Sequence, residues 1–153
     1  MKKIAILISV IMACIATSCN NVRTFDPSIV LSLDNAEVNL PKSVSDTAEP
    51  VHYIHITSNG KWEATLETQD GNSWCWIQEY YLDSKGNKVF VAEPLEAFEG
   101  MEEMGRWNKV KGNGSVYLPL YYVTANANRY GILKVRRTDT NKAEFVTMRI
   151  TQK

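Results

Sequence analysis

Aromatic side chains outside the predicted core are the residues best suited to chemistry in this chain. An aromatic ring can stack on the C–H face of a pyranose while nearby amides and carboxylates bond the sugar hydroxyls. Tyr117 and Tyr121 lie two alternations apart on one predicted strand, so both can point outward together. The chain therefore contains a candidate sugar-binding surface, to which further rings could belong: Tyr53, Tyr80, Tyr81 and Trp107.

Trp107 is the candidate placed outside any predicted strand, in the polar run Arg106 to Lys109. A tryptophan in a loop either anchors that loop or binds a ligand. We expect Trp107 to be a ligand-binding residue together with Tyr117 and Tyr121, and we expect Asn108 and Asn113 to supply polar contacts. The alternative is that the tyrosines cover a second face of the domain or pack under the segment 82–114.

Metal binding and catalysis have little support in the residue pattern. His52 and His55 are the only histidines, and residues three apart on a strand point to opposite faces. The glutamates between positions 96 and 103 lack the spacing and glycine of a calcium loop. No nucleophile–histidine–acid arrangement, phosphate-binding loop or zinc-ligand spacing is present, so we expect a non-catalytic protein without metal or cofactor. Paired carboxylates for glycoside hydrolysis stay open, because such a pair is spatial.

The first residues have the pattern of a processing signal. Lys2 and Lys3 precede an apolar run, Ile4 to Ala16, that is too short to span a bilayer comfortably. Small residues then lead to Cys19, which resembles a bacterial lipobox. We expect cleavage after residue 18, lipidation of Cys19, a tether over 19–28, and anchoring in the bacterial outer membrane on the periplasmic face or cell surface. The alternative is an ordinary secretory signal with an incidental cysteine.

The remaining 135 residues suit one domain with its own core. Seventeen basic and seventeen acidic residues balance over the whole chain, and removal of Lys2 and Lys3 leaves an excess of two acids. No basic stripe is present, so nucleic acid is not an expected partner. Removal of Cys14 and lipidation of Cys19 leave Cys75 as the one free thiol, which its tryptophan neighbours predict to be a buried apolar side chain.

Alternating apolar residues predict an all-β domain over 29–153, an immunoglobulin-like β-sandwich of about seven to nine strands. Trp62, Trp74 and Trp76 are expected to supply much of the core. Pro119 argues for an edge strand or a bulge. The predicted strands are 29–33, 36–40, 51–57, 61–68, 74–81, 89–91, 115–123, 130–137 and 144–152. The predicted core residues are Ile54, Ile56, Trp62, Ala64, Leu66, Val116, Leu118, Leu120, Tyr122, Val146, Met148 and Ile150.

The segment 82–114 interrupts this pattern. Leu95, Phe98, Met101 and Met104 fall at helical spacing among glutamates, which predicts one or two helical turns at the rim of the sheet. We therefore expect a partly helical insertion in an otherwise all-β domain.

Four stretches together are similar to the BACON domain, a Bacteroidetes-associated carbohydrate-binding family. They are Ser58-Asn59-Gly60-Lys61-Trp62, Trp76-Ile77, the run from Asn126 to Val135 (NANRYGILKV) and Ile150-Thr151-Gln152. The resemblance covers Ile29 to Gln152 and implies an immunoglobulin-like sandwich. Segment 82–114 is longer than the family usually has there, and this sequence contains no accompanying enzyme domain. The resembling residues have the character of core and turn positions and assign no binding site.

The expected function is that of a monomeric, lipid-anchored binding module for glycans. The alternatives are a protein–protein adaptor or a structural component of an envelope complex. An adaptor would present a flat apolar patch or an unpaired sheet edge, for which Ser115 to Val123 is the candidate.

Overall fold

The computed structural model describes residues 26–69, 74–91, 96 and 105–153. Within these ranges the chain is all-β, with two sheets and almost no helix. Eleven strands are described: β1 (Leu31–Leu33), β2 (Glu37–Asn39), β3 (Val51–Ser58), β4 (Lys61–Thr68), β5 (Cys75–Ile77), β6 (Tyr80–Leu82), β7 (Lys88–Phe90), β8 (Lys109–Asn113), β9 (Val116–Tyr122), β10 (Arg129–Arg137) and β11 (Phe145–Gln152).

The two sheets face each other as layers of a β-sandwich. Sheet A has the order β1-β3-β9-β6-β7, with β5 also paired to β9, and sheet B has the order β2-β11-β10-β4-β8. All described pairings are antiparallel except that of β2 with β11, which is parallel. The inner face of each sheet packs in the core, and the outer face of each is accessible to a ligand.

The core between the sheets follows the predicted alternation. Ile54, Ile56, Trp62, Ala64 and Leu66 are fully buried, and the predicted inward residues of β9 and β11 are buried except Val146, which is half-buried against the core. The indole Nε1–H of Trp62 donates to the carbonyl of Gly114 at 2.9 Å, which satisfies its polar atom inside the core. Trp76 is an exception to the predicted core, because it is half-buried on the outer side of β5.

The strand count exceeds the expected seven to nine for two reasons. The predicted strand 74–81 divides into β5 and β6, and β8 was missed because its sequence, KVKGN, contains a single apolar residue. β8 forms because its backbone pairs with β4 and its Val110 is buried. β7 and β8 both come from segment 82–114 and lie at the edges of different sheets.

The chain changes sheet at short turns. β1 pairs with β3 in sheet A, whereas β2 pairs with β11 in sheet B, although only three residues separate β1 from β2. The Asn59-Gly60 turn likewise carries the chain from β3 in sheet A to β4 in sheet B. A Cβ on Gly60 would lie 2.2 Å from the ends of the Arg137 and Asp139 side chains, so a larger residue in this turn would displace that ion pair.

Pro119 lies in a central strand, and its predicted edge position is wrong. β9 pairs with β3 on one side and with β5 and β6 on the other. The backbone N–H of Val123 donates to the carbonyl of Trp74, beside β5. Backbone N–H groups alternate in direction along a strand, so the backbone nitrogen of Pro119, four residues earlier, also points toward β5 and β6. The pairing of β9 with β6 is shifted by two residues from that with β5. The missing N–H of proline therefore lies at a break in the ladder.

Three sequence-based expectations fall outside the described residues. They are the signal segment with Cys19, most of the tether, and the helical turns predicted from Leu95, Phe98, Met101 and Met104.

Candidate functional site

The outer side of sheet A carries a continuous set of rings, which we name the aromatic face. Adjacent strands contribute them through residues that point away from the core: Tyr53 and His55 on β3, Trp76 on β5, Tyr80 on β6, Phe90 on β7, and Tyr117 and Tyr121 on β9. Tyr117 and Tyr121 are four residues apart, which corresponds to about 13 Å along the strand. The aromatic face thus extends along β9 and across the neighbouring strands.

Strand register brings these rings together. His55 lies opposite Tyr117, and Trp76 lies opposite Tyr121. Tyr80 lies opposite Phe90 across β6 and β7. Side chains of directly opposed residues project to the same side of an antiparallel pair and are close enough to interact. The aromatic face is therefore a product of sheet pairing between segments that are distant in sequence.

The rings hold one another in defined orientations. The His55 and Tyr117 rings stack with centroids 4.7 Å apart, and the Trp76 and Tyr121 rings stack at 6.2 Å with planes 16° apart. The hydroxyls of Tyr80 and Tyr121 are hydrogen-bonded at 2.7 Å. Such mutual packing limits rotamer freedom before any ligand binds, which lowers the entropic cost of binding.

Two cations cover part of this surface. The Arg106 guanidinium carbon lies 4.1 Å from the centroid of the Trp76 ring, and the Lys88 ammonium lies 4.4 Å from that of Tyr80. These contacts have cation–π geometry. Because a cation already lies over each of these two rings, Trp76 and Tyr80 act as support for the other rings.

The rings most available for stacking are the exposed ones. Tyr53 is 44% exposed, Tyr117 is 39% exposed and Phe90 is 64% exposed. Tyr53 on β3 lies opposite Pro119, which stands between Tyr117 and Tyr121 on β9. The Pro119 side chain is small and buried, so it does not project between the three tyrosine rings. Tyr53, Tyr117 and Phe90 are the strongest candidates for direct ligand contact.

The Tyr121 hydroxyl of the aromatic face stays protonated at ordinary pH. Burial, and then the hydrogen bond from Tyr80, raises the pKa of Tyr121 well above its usual range. A neutral phenol can both donate and accept a hydrogen bond. The Tyr80–Tyr121 pair therefore offers donor and acceptor capacity suited to sugar hydroxyls.

The structure separates the five site residues expected from sequence. Tyr117 and Tyr121 lie on the aromatic face. Trp107 forms an isolated bridge with the fully buried Ile77, so its side chain projects to the inner side of sheet A, and its Nε1 is buried. Asn108, the next residue, is half-buried, and its backbone N–H donates to the backbone carbonyl of Glu96. Asn113 is exposed at the end of β8, in sheet B.

Tyr81 also lies away from the aromatic face, since its ring packs 5.8 Å from that of Trp62. Trp76, Phe90 and His55 belong to the aromatic face but were not among the expected site residues. The alternation of Trp76 between the buried Cys75 and Ile77 was a signal that could have found it. No comparable signal marked Phe90, which takes its place only by pairing with Tyr80.

The histidines and the cysteine have the predicted positions. His55 lies on the aromatic face, whereas His52 has the inward alternation of Ile54, and burial lowers its pKa. Cys75 is fully buried and unpaired, and burial raises its pKa strongly. In the described part of the chain, no group of three or more His, Cys, Asp or Glu side chains is arranged to hold a metal ion.

Among the residues that the structure describes, no helix has the length and apolar character needed to cross a bilayer. No protein-family model matches the chain, and no curated protein matches it.

Proposed function

We propose that this protein is a non-catalytic glycan-binding module that binds its ligand on the aromatic face. The observation that carries the proposal is that the exposed rings of Tyr53, Phe90 and Tyr117 share one outer face of sheet A with two stacked ring pairs. Exposed rings present the flat apolar surface that the C–H face of a pyranose requires. The hydrogen-bonded hydroxyls of Tyr80 and Tyr121 supply hydrogen bonds at the edge of the sugar.

The proposal includes an immunoglobulin-like, BACON-like identity for the sandwich and a lipid anchor at Cys19 in the bacterial outer membrane. The sequence resemblance and the two-sheet fold support the first part, and the lipobox-like N-terminus supports the second. An anchored module of this kind would hold a glycan close to the membrane.

A glycan array with matched variants tests the site. We expect saturable binding to at least one glycan, and a loss of about two- to twelvefold in affinity in Tyr117→Ala and Tyr53→Ala, because one aromatic contact contributes about 0.5–1.5 kcal/mol. Tyr130→Ala is the control, since Tyr130 is 57% exposed on the outer face of sheet B. An equal loss of affinity in Tyr130→Ala would contradict the proposal. So would the absence of binding to all plant, mucin and microbial glycans on the array.

Trp107→Ala distinguishes a binding role from a structural one. Because its side chain lies on the inner side of sheet A, we expect this substitution to lower the unfolding temperature and to leave the affinity of the folded protein unchanged. Loss of glycan affinity at full stability would instead place Trp107 in the site.

A protein–protein adaptor is the second candidate, because an exposed aromatic surface also suits a protein partner. The edge expected at Ser115 to Val123 does not exist, since β9 is paired on both sides. The adaptor would therefore use the aromatic face itself. Crosslinking from position 117 to a single envelope protein, without glycan binding, would favour this candidate.

A further inference from the structure

A groove of about 530 Å³ lies where the edge strands of the two sheets meet, at β7 and β8. Its apolar lining comes from Trp62, Tyr81, Phe90 and Val91. Gly112 on β8 allows the Trp62 ring to lie against this strand, because a Cβ at that position would lie 2.2 Å from the ring. The groove therefore has an aromatic floor that any larger residue at position 112 would disturb.

The polar wall of this groove is positively charged. Three cations and one carboxylate are among its described lining residues: Lys61, Lys111, Arg136 and Glu63. Arg136 and Lys111 flank Glu63 from the neighbouring strands β10 and β8. Lys111 has a further interaction of its own, but Lys61 and Arg136 still outnumber the one carboxylate of the described lining, and this excess of positive charge favours an anionic ligand group.

The Arg136 side chain is oriented for such a group. Its Nε–H donates to Oε1 of Glu63 at 3.0 Å, and Glu63 is buried. Arg136 itself is 56% exposed, and within the described residues its terminal Nη donors make no hydrogen bond. A guanidinium held at Nε can still bind a carboxylate through its two Nη atoms.

Phe90 joins the groove to the aromatic face. Its ring lines the groove and also lies 5.9 Å from the Tyr80 ring. A chain bound along the aromatic face could therefore continue over β7 into the groove. Asn113 and Thr138 line the same groove and can bond hydroxyls.

We propose that the groove binds the carboxylate of an acidic sugar, so that the ligand is a glycan containing uronic or sialic acid residues. This inference rests on the proposed function of the aromatic face. Arg136 and Lys61 bind the carboxylate, Glu63 positions Arg136, and the sugar ring packs on Phe90.

Titration calorimetry tests the proposal with polygalacturonate, hyaluronan and polysialic acid, each beside its carboxyl-reduced form. We expect at least one acidic polymer to bind about tenfold or more tightly than its reduced form, with an affinity that falls as salt rises. Arg136→Gln and Lys61→Gln should each remove most of that preference. Lys153→Gln is the control for charge, because it removes one exposed cation beside β2.

The outcomes separate this proposal from the proposed function. Equal binding of acidic and reduced polymers, weakened by Tyr117→Ala, would overturn the acidic-sugar inference and support the aromatic face as a glycan site. Absence of binding to every polymer would overturn the acidic-sugar inference, and the glycan array would then decide the proposed function by itself. Binding of poly-glutamate alone, lost in Arg136→Gln, would overturn the inference in favour of an acidic peptide. If Lys153→Gln removes the preference for the acidic polymer as fully as Arg136→Gln does, the preference comes from the net charge of the protein alone. That result also overturns the inference.

Discussion

Replacement of Gly112 by alanine should destabilise the fold through one contact, with the buried Trp62. The two residues are direct cross-strand partners, and the indole ring lies across the glycine. A Cβ at position 112 would lie 2.2, 2.5 and 2.7 Å from Cζ2, Cη2 and Cε2 of Trp62. Trp62 is fully buried and packs against the Tyr81 ring, so displacement of its indole would disturb packed neighbours.

The magnitude follows from three contributions. Overpacking of a core costs about 1–3 kcal/mol. Displacement of the ring also weakens its 2.9 Å hydrogen bond to the Gly114 carbonyl, which costs about 1 kcal/mol. The lower backbone entropy of alanine in the unfolded chain returns about 0.5–1 kcal/mol. We expect Gly112→Ala to lower the free energy of unfolding by about 1–3 kcal/mol, measured by urea denaturation.

A double-mutant cycle with Trp62→Phe identifies the mechanism. Phenylalanine lacks the ring atoms that a Cβ at position 112 would approach. The loss in free energy of unfolding of the double variant should therefore be at least about 1 kcal/mol smaller than the sum of the losses in Gly112→Ala and Trp62→Phe. Gly86→Ala is the control, because Gly86 has a φ of 81° and no atom within 4 Å of an added Cβ. Its backbone strain should not be relieved by Trp62→Phe. A neutral Gly112→Ala, or strict additivity with Trp62→Phe, would refute the reasoning.

Two further predictions concern titratable groups. Because burial raises the pKa of the Cys75 thiol, the thiol should resist a disulfide reagent at pH 8 in the native protein and react after denaturation; rapid native reaction would contradict its burial. Hydrogen bonds from Arg137 lower the pKa of Asp139 from 3.8 to about 2, so its stabilisation is present above pH 4 and is lost as pH falls through 2. Between pH 4 and pH 2 the free energy of unfolding should therefore fall less in Asp139→Asn than in the wild type. An identical fall in the two proteins, measured by urea denaturation at each pH, would argue against this ion pair.

The core was predictable because strand alternation is local. Ile54 and Ile56 on β3, like Trp62, Ala64 and Leu66 on β4, are buried as predicted. A period of two in the sequence places alternate side chains on one face whatever the strand pairs with. The inward residues of β9 were predicted for the same reason.

Sheet membership was not predictable, because it depends on backbone pairing between distant segments. β1 and β2 are neighbours in sequence and belong to different sheets. The side chains of β8 gave little indication of a strand, and β8 forms by pairing with β4. Pro119 suggested an edge, but a two-residue shift between β5 and β6 accommodates its missing N–H in a central strand.

The sequence by itself determined the all-β class, the buried face of each long strand, and the outward direction of Tyr117 and Tyr121. Only the tertiary structure decided which rings join them, because register places Trp76 opposite Tyr121 and His55 opposite Tyr117. Alternation is a property of one strand, whereas a binding surface is a property of several strands in register. For the same reason the groove beside Phe90 appears only where the edges of the two sheets meet.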